Sequence, residues 1–177
     1  MKQVYLLTGA PGTGKTSLIR QVVARMQGRA GGFYTEEIRT RGTRQGFRLV
    51  TLDGQDAVLA HVNTVSRYRV GKYGVDVDSL ERVGVPALRK AAQQCDLVVI
   101  DEIGKMELFS PSFREAVSEV IDSGKRVLGT IMLKPHPWAD AIKCRPQVNL
   151  IVVTRANYHQ VLRELLHWLE VTESLKL

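Results

Sequence analysis

Eight residues, Gly9-Ala10-Pro11-Gly12-Thr13-Gly14-Lys15-Thr16, gather glycines, an ammonium and a hydroxyl into one short stretch. They fit the spacing G-x-x-x-x-G-K-[ST] of a phosphate-binding loop. With glycine at ~7% of residues, chance gives the four fixed positions in a chain this size on the order of 1% of the time. Each residue type has its own chemical reason. Glycines reach φ > 0 and let successive N–H groups close on phosphate oxygens without a Cβ in the way. Lys15 reaches the β- and γ-phosphates, and the Thr16 hydroxyl is a ligand for Mg²⁺. Pro11 stiffens the loop and carries no N–H to leave unpaired. The implied ligand is a nucleoside triphosphate with Mg²⁺.

A second pair of chemistry-bearing residues stands about 85 positions later, where the apolar run Leu97-Val98-Val99-Ile100 ends in Asp101-Glu102. A strand of this kind holds its terminal Asp at the carboxyl edge of an α/β sheet, where such sheets bind ligands. Asp101 is expected to hold Mg²⁺, through water, opposite Thr16. Glu102 is placed to orient a water for attack on the γ-phosphorus, and the other reading of it is a structural or metal-shell carboxylate. A kinase would instead exclude water and position an acceptor hydroxyl.

These groups need a strand before the loop and a helix after it. Val4-Tyr5-Leu6-Leu7 reads as a buried strand, and Ser17 to Met26 as a helix that points its positive end at the same anion. Gly31-Gly32 then turns into a strand running through Ile38. Polar Thr40 to Gln45 separates that strand from Phe47–Leu52, which predicts a β-hairpin over 33–52. Asp53-Gly54 turns the chain into a third short strand, Ala57 to His61, so the meander extends one edge of the main sheet. Residues 63–78 show no sustained period and read as a long functional loop. Asp78 with Glu81 predicts a capping box, Gly84 a helix end, and Pro86 the start of a further helix to Gln94. Ser110-Pro111 opens a helix that Gly124 closes. Strands are predicted at Val127–Ile131 and Val148–Val153, and a short helix or turn at His136–Lys143. A last helix carries Tyr158, Val161, Leu162, Leu165, Leu166 and Leu169 on one face. The alternation predicts one α/β domain over 1–177, three-layered, with right-handed crossovers and a mainly parallel sheet.

The net charge of +7 suits a polyanionic ligand. Arg39, Arg41, Arg44 and Arg48 cluster in one stretch, and Arg67, Arg69 and Lys72 in another. They read as solvated hairpin and loop charge, or as a surface facing phosphate or nucleic acid. No zinc finger, helix-turn-helix or aromatic-interleaved recognition motif accompanies them. Cys95 and Cys144 are isolated, as reduced structural thiols are, and the four histidines form no ligand pattern. The longest apolar runs are too short to cross a membrane. Met1 and Lys2 lead straight into the first strand, so no signal peptide is expected and the expected location is cytoplasmic. The oligomeric state is open, with a monomer the simpler reading.

The run Asp101-Glu102-Ile103-Gly104-Lys105-Met106-Glu107-Leu108-Phe109 carries a resemblance, together with Gly32-Phe33-Tyr34-Thr35-Glu36-Glu37-Ile38-Arg39 and Val70-Gly71-Lys72-Tyr73-Gly74-Val75. Over essentially its whole length the chain resembles the THEP-type nucleoside-triphosphatases. These are small P-loop proteins of thermophiles and other microbes, with a vertebrate counterpart called the cancer-related nucleoside-triphosphatase. The resemblance implies Mg²⁺-dependent hydrolysis of several nucleoside triphosphates (ATP, GTP and others) to diphosphates, with loose base selectivity. It maps two nucleotide-binding stretches onto Gly9–Thr16 and Leu97–Gly104. It also implies a RecA-like, extra-glutamate strand order, in which the strand holding Thr130 lies between the first strand and the Asp101 strand. Thr130 would then lie near the γ-phosphate as a polar sensor of its presence, the other reading being a plain strand-end threonine. Lys105 neutralises transition-state charge or merely solvates its loop, and Glu107 carries the same pair of readings. Glu36 and Glu37 are candidates to face the metal, Trp138 or Thr154 to Asn157 to meet the base, and Arg20, Arg69 or Arg145 to serve as a transition-state arginine. Two other functions remain open at this point: a small-molecule or nucleotide kinase, and a nucleotide-switched module acting on nucleic acid. Nucleic acid is a possible but not the favoured partner.

Overall fold

The computed structural model describes residues 2–174, and side chains over 2–171; the expectation placed on Met1 lies outside that span. In chain order the elements are β1 (Val4–Thr8), α1 (Lys15–Arg25), β2 (Ala30–Thr40), β3 (Thr43–Thr51), β4 (Asp56–His61), β5 (Arg69–Val70) and β6 (Tyr73–Val75). There follow α2 (Val77–Ser79), a wide π turn (Leu80–Gly84), α3 (Val85–Gln94), β7 (Leu97–Ile103) and a short 3₁₀ turn (Glu107–Phe109). The chain continues with α4 (Pro111–Asp122), β8 (Arg126–Ile131), α5 (Pro137–Lys143), β9 (Val148–Val152) and α6 (Tyr158–Ser174).

Among the described residues one sheet of nine strands runs in the order β5-β6-β4-β3-β2-β7-β8-β1-β9. From β2 to β9 every pairing is parallel. From β2 outward to β5 every pairing is antiparallel. The fold is therefore α/β, with β8 lying between β1 and β7. The apolar runs are sorted between two faces by the period of two. Val4, Leu6, Val98, Ile100 and Val127 join Leu88, Phe113, Val117 and Ile142 in one core. Tyr5, Leu7, Leu97, Val99 and Leu128 join Leu18, Ile19, Val22, Leu165 and Trp168 in the other. Helices thus cover both faces, and each fully buried aliphatic side chain contributes roughly 1.5–3 kcal/mol. Among the described residues no helix is long and apolar enough to cross a membrane.

The structure departs from the sequence reading in four places. The hairpin turn is only Arg41-Gly42, with φ values of 48° and 78°, so pairing continues to Thr40↔Thr43. Two consecutive positive-φ residues match the twist of the strands they join, which lets most of the polar stretch Thr40–Gln45 act as strand. The irregular stretch 63–78 holds the short pair β5 and β6, too brief to show a period. Asp76, rather than Asp78, caps α2, accepting from Ser79 N and Ser79 Oγ at 2.9 Å each. Glu81 cannot complete a capping box because it accepts the Ser110 hydroxyl at 2.6 Å. Nor does Gly84 end the helix: it is helical at φ −71°, and the chain winds on into α3. A Cβ there would lie 2.9 Å from Leu49 Cδ1, so this glycine marks a close packing of helix on strand.

Candidate active site

The loop Gly9–Thr16 joins the end of β1 to the start of α1, between a fully buried strand and a helix that buries Leu18, Ile19 and Val22. Gly12 and Gly14 stand at φ 77° and 90°, a conformation that other residues adopt only with strain. Ala10, Pro11 and Gly12 are exposed, and Thr13 closes the loop by donating to Ala10 O at 3.0 Å. Lys15 Nζ lies over the loop, donating to Gly9 O and Ala10 O at 3.0 and 2.9 Å. The first turn of α1 has no acidic residue, so its positive end is not neutralised by its own side chains. At the foot of the loop, the buried Thr8 hydroxyl has no protein partner.

Opposite the loop, Asp101 collects three hydroxyls. Thr16 Oγ1 donates to Asp101 Oδ2 at 2.7 Å, and Thr130 Oγ1 donates to Asp101 Oδ1 at 2.6 Å. Thr35 Oγ1 donates to the Asp101 carbonyl at 2.7 Å. Thr35 is a group that sequence reasoning passed over; the only signal was a threonine on a strand beside β7. Leu97, Val98, Val99, Ile100 and Ile103 are fully buried. Within the second predicted binding stretch they therefore carry the site and do not line it. Between Ile100 and Ile103 the register with β8 shifts, and the Asp101–Glu102 peptide is cis.

The carboxylates here are desolvated. Burial pushes Asp101 above the ordinary Asp value, against the opposing hydrogen bonds of Thr130 and Thr16 and the charges of Arg20 and Lys15. Glu102 keeps some exposure as a residue, yet burial of its carboxyl and then the charge of Asp101 raise its pKa, with Lys15 opposing. Among the described residues no protein donor holds the Glu102 carboxylate, which leaves its oxygens free to accept from water. Glu107, weighed as a loop residue, is only 2% exposed, which removes the solvating reading. Burial, followed by the Glu102 charge, pushes its pKa well above the usual carboxylate range. Its Oε2 accepts from Gly104 N at 3.2 Å.

The other candidates divide between the margin of the loop and more distant places. Lys105 is exposed on the turn after β7. Glu36 is held by Arg20 and Arg48 at 2.7 and 2.8 Å, and Glu37 by Arg39 and Arg44 at 2.6 and 3.0 Å. Arg20 stacks on Tyr34, 4.4 Å from the ring centroid, on the side of α1 from which its charge reaches Asp101. Arg145 is tied to Asp122 and Ser118, and Arg69 to Lys72 O. Trp138 packs against the core beneath α5. The turn Thr154–Asn157 closes on itself through Asn157 Oδ1, which accepts from Thr154 N at 2.8 Å. It begins just after Val153, which donates its N–H to Thr8 O at 2.8 Å, so this turn flanks the loop. Tyr158, also missed, lies with its ring against Gly14 and its hydroxyl 2.9 Å from Ser17 Oγ and 2.6 Å from Gln21 Nε2.

A hard divalent cation takes oxygen ligands, and Mg²⁺ keeps waters and phosphate oxygens beside one or two protein groups. Thr16 and Asp101 offer oxygens only, 2.7 Å apart, so the donor set fits Mg²⁺.

Comparisons with known proteins place the chain in a family. Residues 4–166 match the family described as NTPase. The chain is 46% identical over 171 residues to the nucleoside-triphosphatase THEP1 of Thermotoga sp. strain RQ2, covering 97% of this chain and 98% of that one. The crystal structure of THEP1 from Aquifex aeolicus superposes with a TM-score of 0.84 at 38% identity, covering 94% of this chain and 99% of that one. The solution structure of a human cancer-related nucleoside triphosphatase gives 0.78 at 36%, covering 97% and 98%. With matches that span nearly the whole of both chains, this protein belongs to the NTPase family that includes the THEP1-type nucleoside-triphosphatases.

Proposed function

We propose that the chain hydrolyses nucleoside triphosphates to diphosphate and phosphate with Mg²⁺, accepting several bases. The observation that carries this reading is the convergence of Thr16 and Thr130 on the Asp101 carboxylate, with the desolvated Glu102 next in sequence. The loop N–H groups and Lys15 hold the β- and γ-phosphates; Thr16 and Asp101 hold the metal. A Mg²⁺ held there would supply positive charge against the charge that develops on the phosphate oxygens. Glu102 accepts a hydrogen bond from a water and aims its oxygen at the γ-phosphorus. The new P–O bond forms as the bond to the β-phosphate oxygen breaks, and the water's proton passes toward Glu102 or the departing phosphate. Thr130 meets the same carboxylate from the neighbouring strand, which suits a sensor of the γ-phosphate. The position of β8 between β1 and β7 supports the extra-glutamate class of P-loop proteins. The turn Thr154–Asn157 is the surface beside the loop that a base would meet. Thr154, Arg155 and Ala156 are exposed there.

The test is Glu102→Gln. Affinity for the Mg²⁺ complex of the slowly hydrolysed ATP analogue AMP-PNP should hold, while phosphate release from ATP falls about 10²–10⁴-fold. Full activity in this variant removes Glu102 from the chemistry. ADP formation that needs an added acceptor and is not accompanied by free phosphate points to a kinase instead.

A further inference from the structure

We infer that Glu107 is a positioning residue, which holds Gly104 so that the Glu102 carboxylate has a single seat beside Asp101. This inference rests on the water-orienting reading of Glu102. The first observation is the burial of Glu107, which is 2% exposed, beside Leu108 at 5%. A buried carboxyl is costly to desolvate unless it is well satisfied, and a hydrophobic side chain of similar volume would serve packing better. The second observation is the contact it makes, since its Oε2 accepts the Gly104 N–H at 3.2 Å. The third is the position of Glu102. A Cβ on Gly104 would lie 2.3 Å from Glu102 Oε1, so the Glu102 carboxyl rests directly on the bare backbone of that glycine. Glu107 and Glu102 thus meet the same residue, the first by gripping its N–H and the second by lying against its Cα.

The turn transmits this arrangement to the core. Leu108 N donates to Gly104 O at 3.0 Å, and Ser110 N donates to Glu107 O at 3.1 Å. Ser110 Oγ then caps α4 by accepting from Phe113 N at 3.0 Å, and Phe113 is fully buried. The seat of Glu102 is therefore continuous with a rigid helix. Reaction geometry is sensitive to this support, because a misplacement of about 1 Å can cost on the order of 10²-fold in rate.

The experiment compares Glu107→Ala, Glu107→Gln and Gly104→Ala by ATP turnover, binding of Mg²⁺–AMP-PNP and thermal melting. Glu107→Ala should lower kcat about 10–100-fold, with KM and AMP-PNP affinity within about threefold of the parent. Glu107→Gln keeps an oxygen for the Gly104 N–H and should recover kcat to within about fivefold of the parent. Residues acting as one unit are non-additive, so adding Glu107→Ala to Glu102→Gln should change the residual rate less than about twofold. Unchanged kcat in Glu107→Ala, an undiminished loss in the Glu102→Gln background, or a parallel loss of AMP-PNP affinity would each overturn the inference. If Glu107→Ala does not fold, Gly104→Ala asks the same question from the other side, since its Cβ must displace Glu102 while the N–H bond survives. It should lose kcat and keep AMP-PNP affinity, and full activity there overturns the inference too. An active Glu102→Gln defeats the underlying reading, whereas an inactive Glu102→Gln beside a fully active Glu107→Ala defeats this one alone.

Discussion

The sheet has two halves that solve the problem of charge in opposite ways. In the parallel half, β7-β8-β1-β9 with the first residues of β2, Ala30–Phe33, charged groups are few and buried, and burial raises the pKa values of Asp101, Glu102 and Glu107, with the Asp101 charge adding at Glu102 and the Glu102 and Asp101 charges adding at Glu107. In the antiparallel half, the outer part of β2 with β3-β4-β6-β5, charges are many and more exposed, and they cancel in pairs. Arg48 answers Glu36, Arg44 answers Glu37, and Arg44 also lies 5.1 Å over the Phe47 ring. The hairpin charge is mostly committed to its own carboxylates, so the net positive charge of the chain is not by itself a nucleic-acid surface. Low dielectric is what turns a carboxylate into a reagent, and only the parallel half supplies it.

Substitutions can break or sharpen this contrast. Phe113→Ala, in the core behind the site, should cost about 3–5 kcal/mol by urea denaturation. Lys15→Ala should weaken Mg²⁺–AMP-PNP binding and turnover together by about 10–100-fold, as expected for losing charge-assisted bonds to phosphate; unchanged affinity removes Lys15 from the phosphate cradle. Glu107 tests the buried half by pH. Its folded pKa lies well above the ordinary 4.5, so the folded state favours the proton. The stability it supplies is full below pH 4.5 and is lost as pH rises through the folded value. Glu107→Gln carries no such proton, so the Tm of the parent minus that of the variant should fall as pH rises above about 4.5. The smallest effect belongs to the exposed half. Arg44→Ala should cost at most about 1 kcal/mol, less in high salt, and leave turnover within about twofold. A cost of several kcal/mol there would erase the distinction.

What could be read from sequence was whatever a short window contains. The loop, its flanking strand and helix, the Ser110-Pro111 helix start and the apolar run before Asp101 are local signals, and all appear where expected. The strand position of Thr130 came from resemblance, since no window shows which strands become neighbours. The misreadings are tertiary. Gly84 stays helical because Leu49 packs against it from β3, and Glu81 leaves its capping box for a serine 29 residues away. The burial of Glu107 was hidden for the same reason. A glutamate within a Gly-Lys-Met-Glu turn looks solvated until the layers close over it.

β1 carries one more implication, and it concerns time. Val4–Thr8 is made early, but its two hydrogen-bonded neighbours are β8 and β9, which begin at Arg126 and Val148. At a synthesis rate of ~5–20 residues per second, this strand waits on the order of ten seconds for any partner. Until then the loop after it has no wall on either side, and Tyr158 is not yet present to rest against Gly14. A nascent chain therefore has no means to grip a nucleotide until nearly all of it has been made. Pairing strands so far apart in sequence also slows folding from the denatured state.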